Sequence, residues 1–337
     1  MIAPKIKIAF FDSKSYEEDF FKAANTRLNF NFHIDYFKER FTIQTIKLVF
    51  SHNVICLFCN DFVNKEMIDT LCEYGVKLIA LRTAGYNNVD IKAAHKKIRI
   101  VRVPEYSPHA IAEYTIALLL ALNRKTHRAY YRTRDNNFSI NGLMGFDLYK
   151  KTVGVIGTGR IGSVLTQLLH GFGTDIVAYD KVLNKEIVDR FAVKYLSLDE
   201  LFVQADIISL NCPLTPETFH MINEESIRKM KNGVYLINTG RGKLIDTKAL
   251  IAGLKSKKIA GAALDVYEEE SEYFFEDFSA RGIDDDILAR LLTFHNVLIT
   301  SHQAFFTTEA MREIAQTTLH NISDFFAGKD LKNEVHY

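Results

Sequence analysis

The sequence predicts an α/β fold with two doubly wound parallel-sheet domains. Short apolar runs rich in β-branched residues alternate with amphipathic helical stretches along almost the whole chain. This alternation is typical of parallel sheets that are covered by helices on both faces. A length of 337 residues is also more than one ordinary hydrophobic core requires, and it suits two domains.

Ten apolar segments have the composition of buried strands. They are KIKIAFF (5–11), VICLFC (54–59), KLIALRT (77–83), IRIVRV (98–103), TVGVIG (152–157), DIVAYD (175–180), ADIISLN (205–211), GVYLIN (233–238), IAGAALDV (259–266) and NVLITS (296–301). Amphipathic stretches separate most of them and predict helices. The clearest of these span 64–75, 108–128, 160–171, 246–257 and 307–327.

The domain boundary is predicted at VPEYSP, where a strand ends at Pro104 and a long helix begins at Pro108. A second long helical segment follows the last strand of the chain. We therefore expect residues 106–303 to form one domain that is inserted into another. The second domain would consist of residues 1–105 and 304–337, so that the C-terminal helix returns to it.

The charge balance argues against an extended polyanion-binding surface. Lys plus Arg number 42 and Asp plus Glu number 41, and the 47% apolar and 25% charged content is that of an ordinary globular protein. No broad basic surface for nucleic acid or for an anionic membrane is expected, so we predict neither partner. One or two local cations would still suffice to hold a small anionic substrate.

Three features predict a cytoplasmic protein. The apolar run at the N-terminus is short and is closed by Asp12, unlike a secretory signal. The most apolar stretch, 111–122, is interrupted by Glu113 and is too short to span a bilayer. The four cysteines make no disulfide framework.

The Cys56-x-x-Cys59 pair is the one motif that resembles half of a metal or redox site. It lies within an apolar run that predicts a buried strand, and no second such pair or pair of histidines is suitably placed near it. We therefore predict that both cysteines belong to the core and that the protein holds no metal.

The strongest local motif is TVGVIGTGRIG, in which Gly157, Gly159 and Gly162 form G-x-G-x-x-G between a strand and a helix. The first glycine permits a tight turn, the second lets the backbone approach a pyrophosphate, and the third lets the helix and strand pack closely. The helix directs its N-terminal amides at the phosphates. The motif and its context predict a dinucleotide site.

Asp180 ends the strand that follows this helix, and it indicates which dinucleotide binds. A carboxylate in this position accepts hydrogen bonds from the adenosine ribose and repels a 2′-phosphate, so NAD is favoured over NADP. Lys181 follows directly and weakens that preference.

Candidate catalytic side chains follow three other strands. Arg241 stands between two glycines, and its planar guanidinium suits a bidentate grip on a carboxylate. Asp265 ends a strand, and the acidic triplet Glu268, Glu269 and Glu270 comes shortly after it. His302 lies just after a strand and before a helix.

These groups together suit the reduction of a 2-oxo acid. Ligands bind outside the carboxyl ends of strands in open α/β sheets, so the groups are expected to share a crevice with the cofactor. His302 would supply the proton, because its reference pKa is near neutrality, and a neighbouring carboxylate would keep it protonated. Arg241 would neutralise the substrate carboxylate and polarise the carbonyl.

The chain resembles the D-2-hydroxyacid dehydrogenase family, and within it the fermentative D-lactate dehydrogenases. The resemblance covers nearly the whole sequence. It is carried by LRTAGYNNVD, VPEYSPHAIAEYTIALLLALNRK, TVGVIGTGRIG, LNCPLTPETFHMIN, NTGRGKLIDTKAL, ALDVYEEE and SHQAFFTTEA. An insertion at 271–292 is similar to that of the lactate branch.

The resemblance implies a Rossmann NAD-binding domain inserted into a flavodoxin-like substrate domain. It implies a catalytic triad of Arg241, Glu270 and His302, with Glu270 chosen by the family spacing of five residues after Asp265. The implied substrate contacts are Ala84, Gly85, Tyr106, Arg241, His302 and Phe305. The implied cofactor contacts beyond the glycines are Arg160, Ile161, Asp180, Cys212, Pro213, Thr218, Thr239, Gly240 and Asp265.

The resemblance also implies NADH-dependent, reversible reduction of pyruvate to D-lactate in fermentation, by a homodimer or homotetramer joined through its nucleotide domains. Two alternatives stay open. A larger 2-oxo acid such as 2-oxoisocaproate or phenylpyruvate would use the same chemistry, and Phe305, which stands where some relatives have tyrosine, leaves that choice undecided. An NADH-sensing module like the C-terminal-binding corepressors would bind peptides instead, although the insertion at 271–292 argues against it.

Overall fold

The computed structural model describes residues 6–337, which form strands and helices in close alternation. The strands are β1 Lys7–Phe10, β2 His33–Tyr36, β3 Val54–Leu57, β4 Leu78–Leu81, β5 Arg99–Val101, β6 Thr152–Ile156, β7 Asp175–Tyr179, β8 Lys194–Tyr195, β9 Ile207–Leu210, β10 Val234–Asn238, β11 Ile259–Leu264 and β12 Val297–Ile299. The helices are α1 Ser15–Arg27, α2 Lys65–Glu73, α3 Ile91–Ala94, α4 Pro108–Arg124, α5 Thr126–Arg134, α6 Arg160–Gly171, α7 Lys185–Phe191, α8 Leu198–Gln204, α9 Glu224–Lys229, α10 Thr247–Lys255, α11 Asp286–Leu292 and α12 Thr308–Phe326. Short 3-10 turns occur at Ile46–Val49, Gly242–Leu244 and Glu270–Glu272.

The chain divides into two compact units. One consists of the residues up to Ser107 together with Phe306–Tyr337, and the other is Pro108–Phe305. Both borders lie two residues beyond the positions expected from the sequence. The helix α12 belongs to the first unit, so the second unit is an insertion between two parts of the first.

The first unit is built on a five-stranded parallel sheet in the order β2-β1-β3-β4-β5. Side chains alternate between its faces, as strand geometry requires. Ile8 and Phe10 pack into a core that includes Leu319 of α12, whereas Ala9 and Phe11 pack into the core on the opposite face. This is the strand order of a flavodoxin-like domain, as predicted.

The second unit is built on a seven-stranded parallel sheet in the order β12-β11-β10-β9-β6-β7-β8. The chain starts in the middle at β6, builds outward to β8, and then returns to β9 on the other side of β6. Such a reversal of strand order leaves a crevice at the carboxyl ends of the strands, where doubly wound proteins bind their ligands. The predicted fold class is therefore confirmed for both sheets.

Two local predictions are wrong, and the edge strands β2 and β8 were not predicted. The helix expected at 108–128 is broken at Lys125, whose backbone is left-handed (φ 51°) and whose ammonium group donates to the carbonyls of Gly142 and Met144. The four-residue strand β2 was not predicted, because HIDY lies at a sheet edge and is too polar to resemble a buried strand. Cys59 is exposed rather than buried, because β3 ends at Leu57.

Cys56 is buried as predicted, and burial raises the pKa of its thiol to about 12. A thiol of this kind stays neutral and unreactive. All four cysteines are free. Within residues 6–337 no helix is long and apolar enough to cross a membrane, and no group of three His, Cys, Asp or Glu side chains is arranged to hold a metal ion.

Candidate active site

The loops that leave the carboxyl edge of the seven-stranded sheet carry most of the predicted site residues. Each loop follows a different strand, so the parallel sheet brings together positions that are far apart in the sequence. They are Gly157–Gly162 after β6, Asp180 after β7, Cys212 and Pro213 after β9, Thr239–Arg241 after β10, Asp265 after β11 and His302 after β12.

The three glycines of the loop after β6 each meet a different steric demand. Gly157 has φ 93°, and a Cβ there would lie 2.6 Å from the backbone of Asn211. A Cβ on Gly162 would lie 2.0 Å from the carbonyl oxygen of Gly157. A Cβ on Gly159 would meet nothing within 4 Å, and Gly159 opens α6 without a side-chain cap. The loop therefore presents open space and uncapped helix amides, which fits a dinucleotide pyrophosphate.

Asp180 is held in place by the glycine loop itself. Its Oδ2 accepts hydrogen bonds from the backbone amide of Thr158 (2.6 Å) and from the Thr158 hydroxyl (3.2 Å). The Tyr195 hydroxyl lies 2.7 Å from Oγ1 of Thr158 and accepts from the amide of Asn184 (3.0 Å). Lys181 points to Glu217, at 3.8 Å. The carboxylate is thus fixed beside the loop, where it fits an adenosine ribose.

Arg241 is presented by a tightly constrained turn. The Asn238 amide donates to the carbonyl oxygen of Arg241 (2.9 Å), and Oδ1 of Asn238 accepts from the amide of Gly240 (3.0 Å). A Cβ on Gly242 would lie 2.0 Å from the carbonyl oxygen of Tyr267, so only glycine lets this turn pack against the loop after β11. The guanidinium donates to the Gly240 carbonyl (2.8 Å), and it forms no ion pair within residues 6–337.

His302 and Glu270 form a hydrogen-bonded pair. Nδ1 of His302 lies 2.8 Å from Oε1 of Glu270, and the other carboxylate oxygen accepts from the backbone amide of Tyr267 (2.9 Å). An ionised Glu270 can only accept, so Nδ1 donates and Nε2 is left for a ligand. A histidine that is oriented by a carboxylate at one nitrogen is suited to proton transfer at the other.

Comparisons with known proteins agree with this geometry. Residues 116–304 match the family described as D-isomer specific 2-hydroxyacid dehydrogenase, NAD binding domain. The chain belongs to this family. The prediction that it is an NAD-dependent oxidoreductase is therefore confirmed.

Full-length relatives extend the match to both units of the dehydrogenase. The chain is 47% identical to a 2-hydroxyacid dehydrogenase homolog of Haemophilus influenzae, over 98% of this chain and 99% of that protein. It is 45% identical to the D-lactate dehydrogenase of Escherichia coli over 98% of this chain and 100% of that protein. The apo structure of an Escherichia coli D-lactate dehydrogenase superposes with a TM-score of 0.90 at 43% identity, covering 98% of this chain and 100% of that one.

The three glutamates of the acidic triplet of the dehydrogenase have different partners. Glu268 contacts His220 at 2.6 Å and accepts from the Thr247 hydroxyl at 2.8 Å, and Glu269 lies 3.4 Å from Lys243. Glu270 alone contacts His302. The residue types do not distinguish these glutamates, and the pairing depends on the paths of two distant loops. No motif in the sequence indicated His220, whose amide holds the Arg241 turn by donating a hydrogen bond to the Lys243 carbonyl (2.9 Å).

Asp265 of the dehydrogenase is fully buried beneath the histidine segment. Its carboxylate accepts from the Thr300 hydroxyl (2.6 Å) and from the amides of Gln303 (3.0 Å) and Ala304 (2.7 Å). Its carbonyl oxygen accepts from the amide of His302 (2.7 Å). Burial raises the pKa of Asp265, and the three hydrogen bonds act in the opposite direction. In this structure, Asp265 fixes the turn that carries His302.

The remaining predicted cofactor contacts lie in the loops after β9 and β10 and in the first turn of α6. The Thr218 hydroxyl donates to the Pro213 carbonyl (2.7 Å) and so closes the loop. Burial raises the pKa of Cys212 to about 11, so it contributes a neutral thiol. Thr239 is buried, and its hydroxyl lies 2.9 Å from that of Thr115 on α4. Arg160 and Ile161 form the first turn of α6.

In the first unit of the dehydrogenase, Ala84 and Gly85 follow β4 and Tyr106 follows β5. Arg102 donates to the carbonyl of Ala84 (2.6 Å), and the hydroxyl of Thr83 donates to the carbonyl of Gly85 (2.8 Å). These two hydrogen bonds constrain the loop after β4. Phe305 is the last residue of the second unit.

Two glycine variants should separate packing from cofactor binding. Gly162→Ala places a methyl group against the Gly157 carbonyl, so we expect it to lower stability by about 1–3 kcal/mol. Gly159→Ala meets no protein atom, so we expect a stability loss of under about 1 kcal/mol but at least a tenfold weaker NADH affinity. Thermal unfolding and NADH fluorescence titration measure the two effects. Equal stability losses in both variants would contradict the steric assignment.

Proposed function

We propose that the enzyme catalyses the reversible, NADH-dependent reduction of pyruvate to D-lactate. The observation that supports this most is the pairing of His302 with Glu270 at one edge of the NAD-binding sheet, with the cation of Arg241 presented at the same edge. The match to enzymes named D-lactate dehydrogenase over nearly the full chain favours pyruvate as the oxo acid.

The cofactor would be held by the loops of the second unit. The glycine loop and the first turn of α6 would take the pyrophosphate, and Asp180 would take the adenosine ribose. The walls of the site would be Cys212, Pro213, Thr218, Thr239 and Gly240, and the buried Asp265 would act through the turn that it holds. Bound NADH supplies the hydride that the reaction adds to the carbonyl carbon.

His302 would act as the acid in reduction and as the base in oxidation. Its Nε2 would donate a proton to the oxygen of the oxo acid, since Nδ1 already donates to Glu270. The negative charge of Glu270 stabilises the protonated imidazole before transfer. In the direction of oxidation, Nε2 would take the hydroxyl proton back.

Arg241 would hold the substrate carboxylate through two parallel N–H···O bonds. The glycines on both sides let a ligand approach, and no acidic side chain of the described residues competes for the guanidinium. Phe305 would be a further substrate contact in the second unit, and Ala84, Gly85 and Tyr106 are the substrate contacts that the resemblance implies for the first unit. The aromatic Phe305 would give an apolar wall for the methyl group of pyruvate.

The test is a comparison of kcat/KM for pyruvate, 2-oxobutyrate, 2-oxoisocaproate and phenylpyruvate, with NADH and with NADPH. We expect pyruvate with NADH to be best, and each added methylene to change kcat/KM by about 10–200-fold. A preference for a bulky oxo acid would leave the mechanism intact and overturn the substrate assignment. No turnover of any of them, with tight NADH binding, would support a sensing module instead.

We also propose that the enzyme is a homodimer joined through the second unit. The segment around α5 exposes large apolar side chains, among them Tyr131 (68%), Phe138 (73%), Ile140 (81%) and Met144 (87%). Exposed large apolar side chains that are concentrated in one segment are typical of a protein interface, and a second copy of the chain would cover them. Met144→Asp combined with Ile140→Asp should yield a monomer in light scattering. A double variant that remains dimeric would place the interface elsewhere.

We further propose a cytoplasmic role in fermentation, in which pyruvate reduction regenerates NAD. Four free cysteines suit a reducing compartment. Deletion of the gene should abolish D-lactate release by oxygen-limited cells and raise their NADH to NAD ratio. Unchanged D-lactate release would argue against this role.

A further inference from the structure

The insertion after Glu270 places an aromatic ring against the candidate acid/base. The ring of Phe275 lies 5.9 Å from the imidazole of His302, centroid to centroid, with an angle of 34° between the planes. Aromatic pairs in proteins are commonly found at about 4.5–7 Å in offset arrangements, so the two rings are in contact. No sequence motif pointed to Phe275, which lies among several other aromatic residues.

The backbone at both contacting residues is unusual. Phe275 has φ 70° and His302 has φ 54°, so both are left-handed. Bulky side chains seldom adopt this conformation outside constrained sites, because Cβ then crowds the following carbonyl. Strain of this kind persists only where the surroundings impose it, and it is concentrated at functional sites.

A single short turn supplies both contacts to His302. Glu270 opens the turn, and its carbonyl oxygen accepts from the amides of Tyr273 (3.1 Å) and Phe274 (2.9 Å). The side chain of Phe274 is buried in the core of the second unit, which anchors the turn. The next residue, Phe275, therefore reaches the imidazole from a fixed point, a few residues after the carboxylate that holds Nδ1.

One hydrogen bond does not fix the plane of an imidazole. Hydrogen bonds tolerate a broad range of angles, and rotation of a histidine ring about Cβ–Cγ has no narrow energy well. The contact with Glu270 alone would leave Nε2 of His302 free to rock. We propose that Phe275 is a positioning residue whose ring stops this rotation and so aims Nε2 at the substrate oxygen, an inference that rests on the proposed role of His302.

The test compares Phe275→Gly, Phe275→Leu and the control Phe278→Leu. Glycine accepts φ 70° without strain, so Phe275→Gly removes the ring while the turn is retained. Phe278 lies in the same insertion, but its ring packs on Tyr273. We expect Phe275→Gly to lower kcat about tenfold, since misplacement of a reacting group by a fraction of an ångström is costly.

The other readouts distinguish positioning from a structural effect. KM for pyruvate and the Kd for NADH should stay within about twofold in Phe275→Gly, because the residues proposed to bind them are untouched. The solvent isotope effect on kcat should rise as proton transfer becomes slower. Phe275→Leu should fall between the wild type and Phe275→Gly, and Phe278→Leu should retain the wild-type kcat. A kcat for Phe275→Gly within twofold of the wild type would overturn the proposal.

A readout without turnover separates this inference from the proposed function. In ¹⁵N-histidine NMR spectra of the whole enzyme, we expect the His302 ring signals to broaden in Phe275→Gly and to stay sharp in Phe278→Leu. If the wild type reduced no oxo acid, the proposed function would fail. The NMR comparison of the two variants would still test whether the ring of Phe275 restrains His302. Equally sharp signals in both variants would overturn the positioning role.

Discussion

Replacement of His302 by glutamine is expected to lower kcat for pyruvate reduction by about a thousandfold, within the range usual for loss of a general acid. Glutamine retains much of the size of the side chain and can still hydrogen bond to Glu270, but it cannot transfer a proton at neutral pH. A thousandfold loss corresponds to about 4 kcal/mol of transition-state stabilisation. Steady-state kinetics with saturating NADH measure it.

The control for this variant is His295→Gln, since His295 is exposed and lies just before β12. It should keep wild-type kcat, and both variants should bind NADH normally. A His302→Gln enzyme with more than about a tenth of wild-type kcat would contradict the acid/base assignment, because general-acid catalysis contributes at least about a hundredfold.

Glu270→Gln tests the partner of the histidine and should give a smaller loss. The amide cannot supply the negative charge that pairs with the imidazolium, so kcat for reduction should fall, but by less than in His302→Gln. The matched control is Glu269→Gln, because Glu269 faces Lys243 instead. A kcat that stays at the wild-type value in Glu270→Gln, or that falls only in the control, would mean that the wrong glutamate had been chosen.

The second large effect is expected at Arg241. Arg241→Lys retains the charge but loses the forked contact, so we expect kcat/KM for pyruvate to fall about a hundredfold, mostly through KM with some loss of kcat. Arg241→Gln removes the charge as well and should lose at least about tenfold more. The distribution of the loss between KM and kcat shows how much of the contact is already made in the ground state.

Arg228→Lys is the control for Arg241, since Arg228 is exposed on α9. Its kinetics should equal those of the wild type. NADH affinity should be unchanged in all the arginine variants. Wild-type KM and kcat in Arg241→Lys would remove this residue from substrate binding.

Local signals were sufficient to predict the architecture of the second unit. The glycine motif could be interpreted from the sequence because each glycine is required for a steric reason. In the structure, a Cβ on Gly162 would lie 2.0 Å from the carbonyl oxygen of Gly157. Arg241 and His302 could be found because parallel strands bring their carboxyl ends to one edge. Each signal lies within a few residues of a strand end.

The remaining features depend on contacts between distant segments. Composition alone left three equivalent glutamates, and only the family resemblance selected Glu270; in the structure the path of the insertion decides which of them contacts His302. The helix break at Lys125 could not be predicted, because no glycine or proline marks it. It is held instead by hydrogen bonds from the Lys125 ammonium group to the carbonyls of Gly142 and Met144. No sequence pattern indicated the position of Phe275, since its left-handed backbone contradicts the conformational preference of phenylalanine.

The central claim is tested most directly by the product of one reaction. Purified enzyme is incubated with pyruvate and NADH that carries deuterium at both C4 positions, and the lactate is resolved by chiral chromatography and analysed by mass spectrometry. We expect D-lactate alone, with deuterium at C2 and in an amount equal to the NADH consumed. L-lactate, a racemate, or NADH loss without labelled D-lactate would contradict the account.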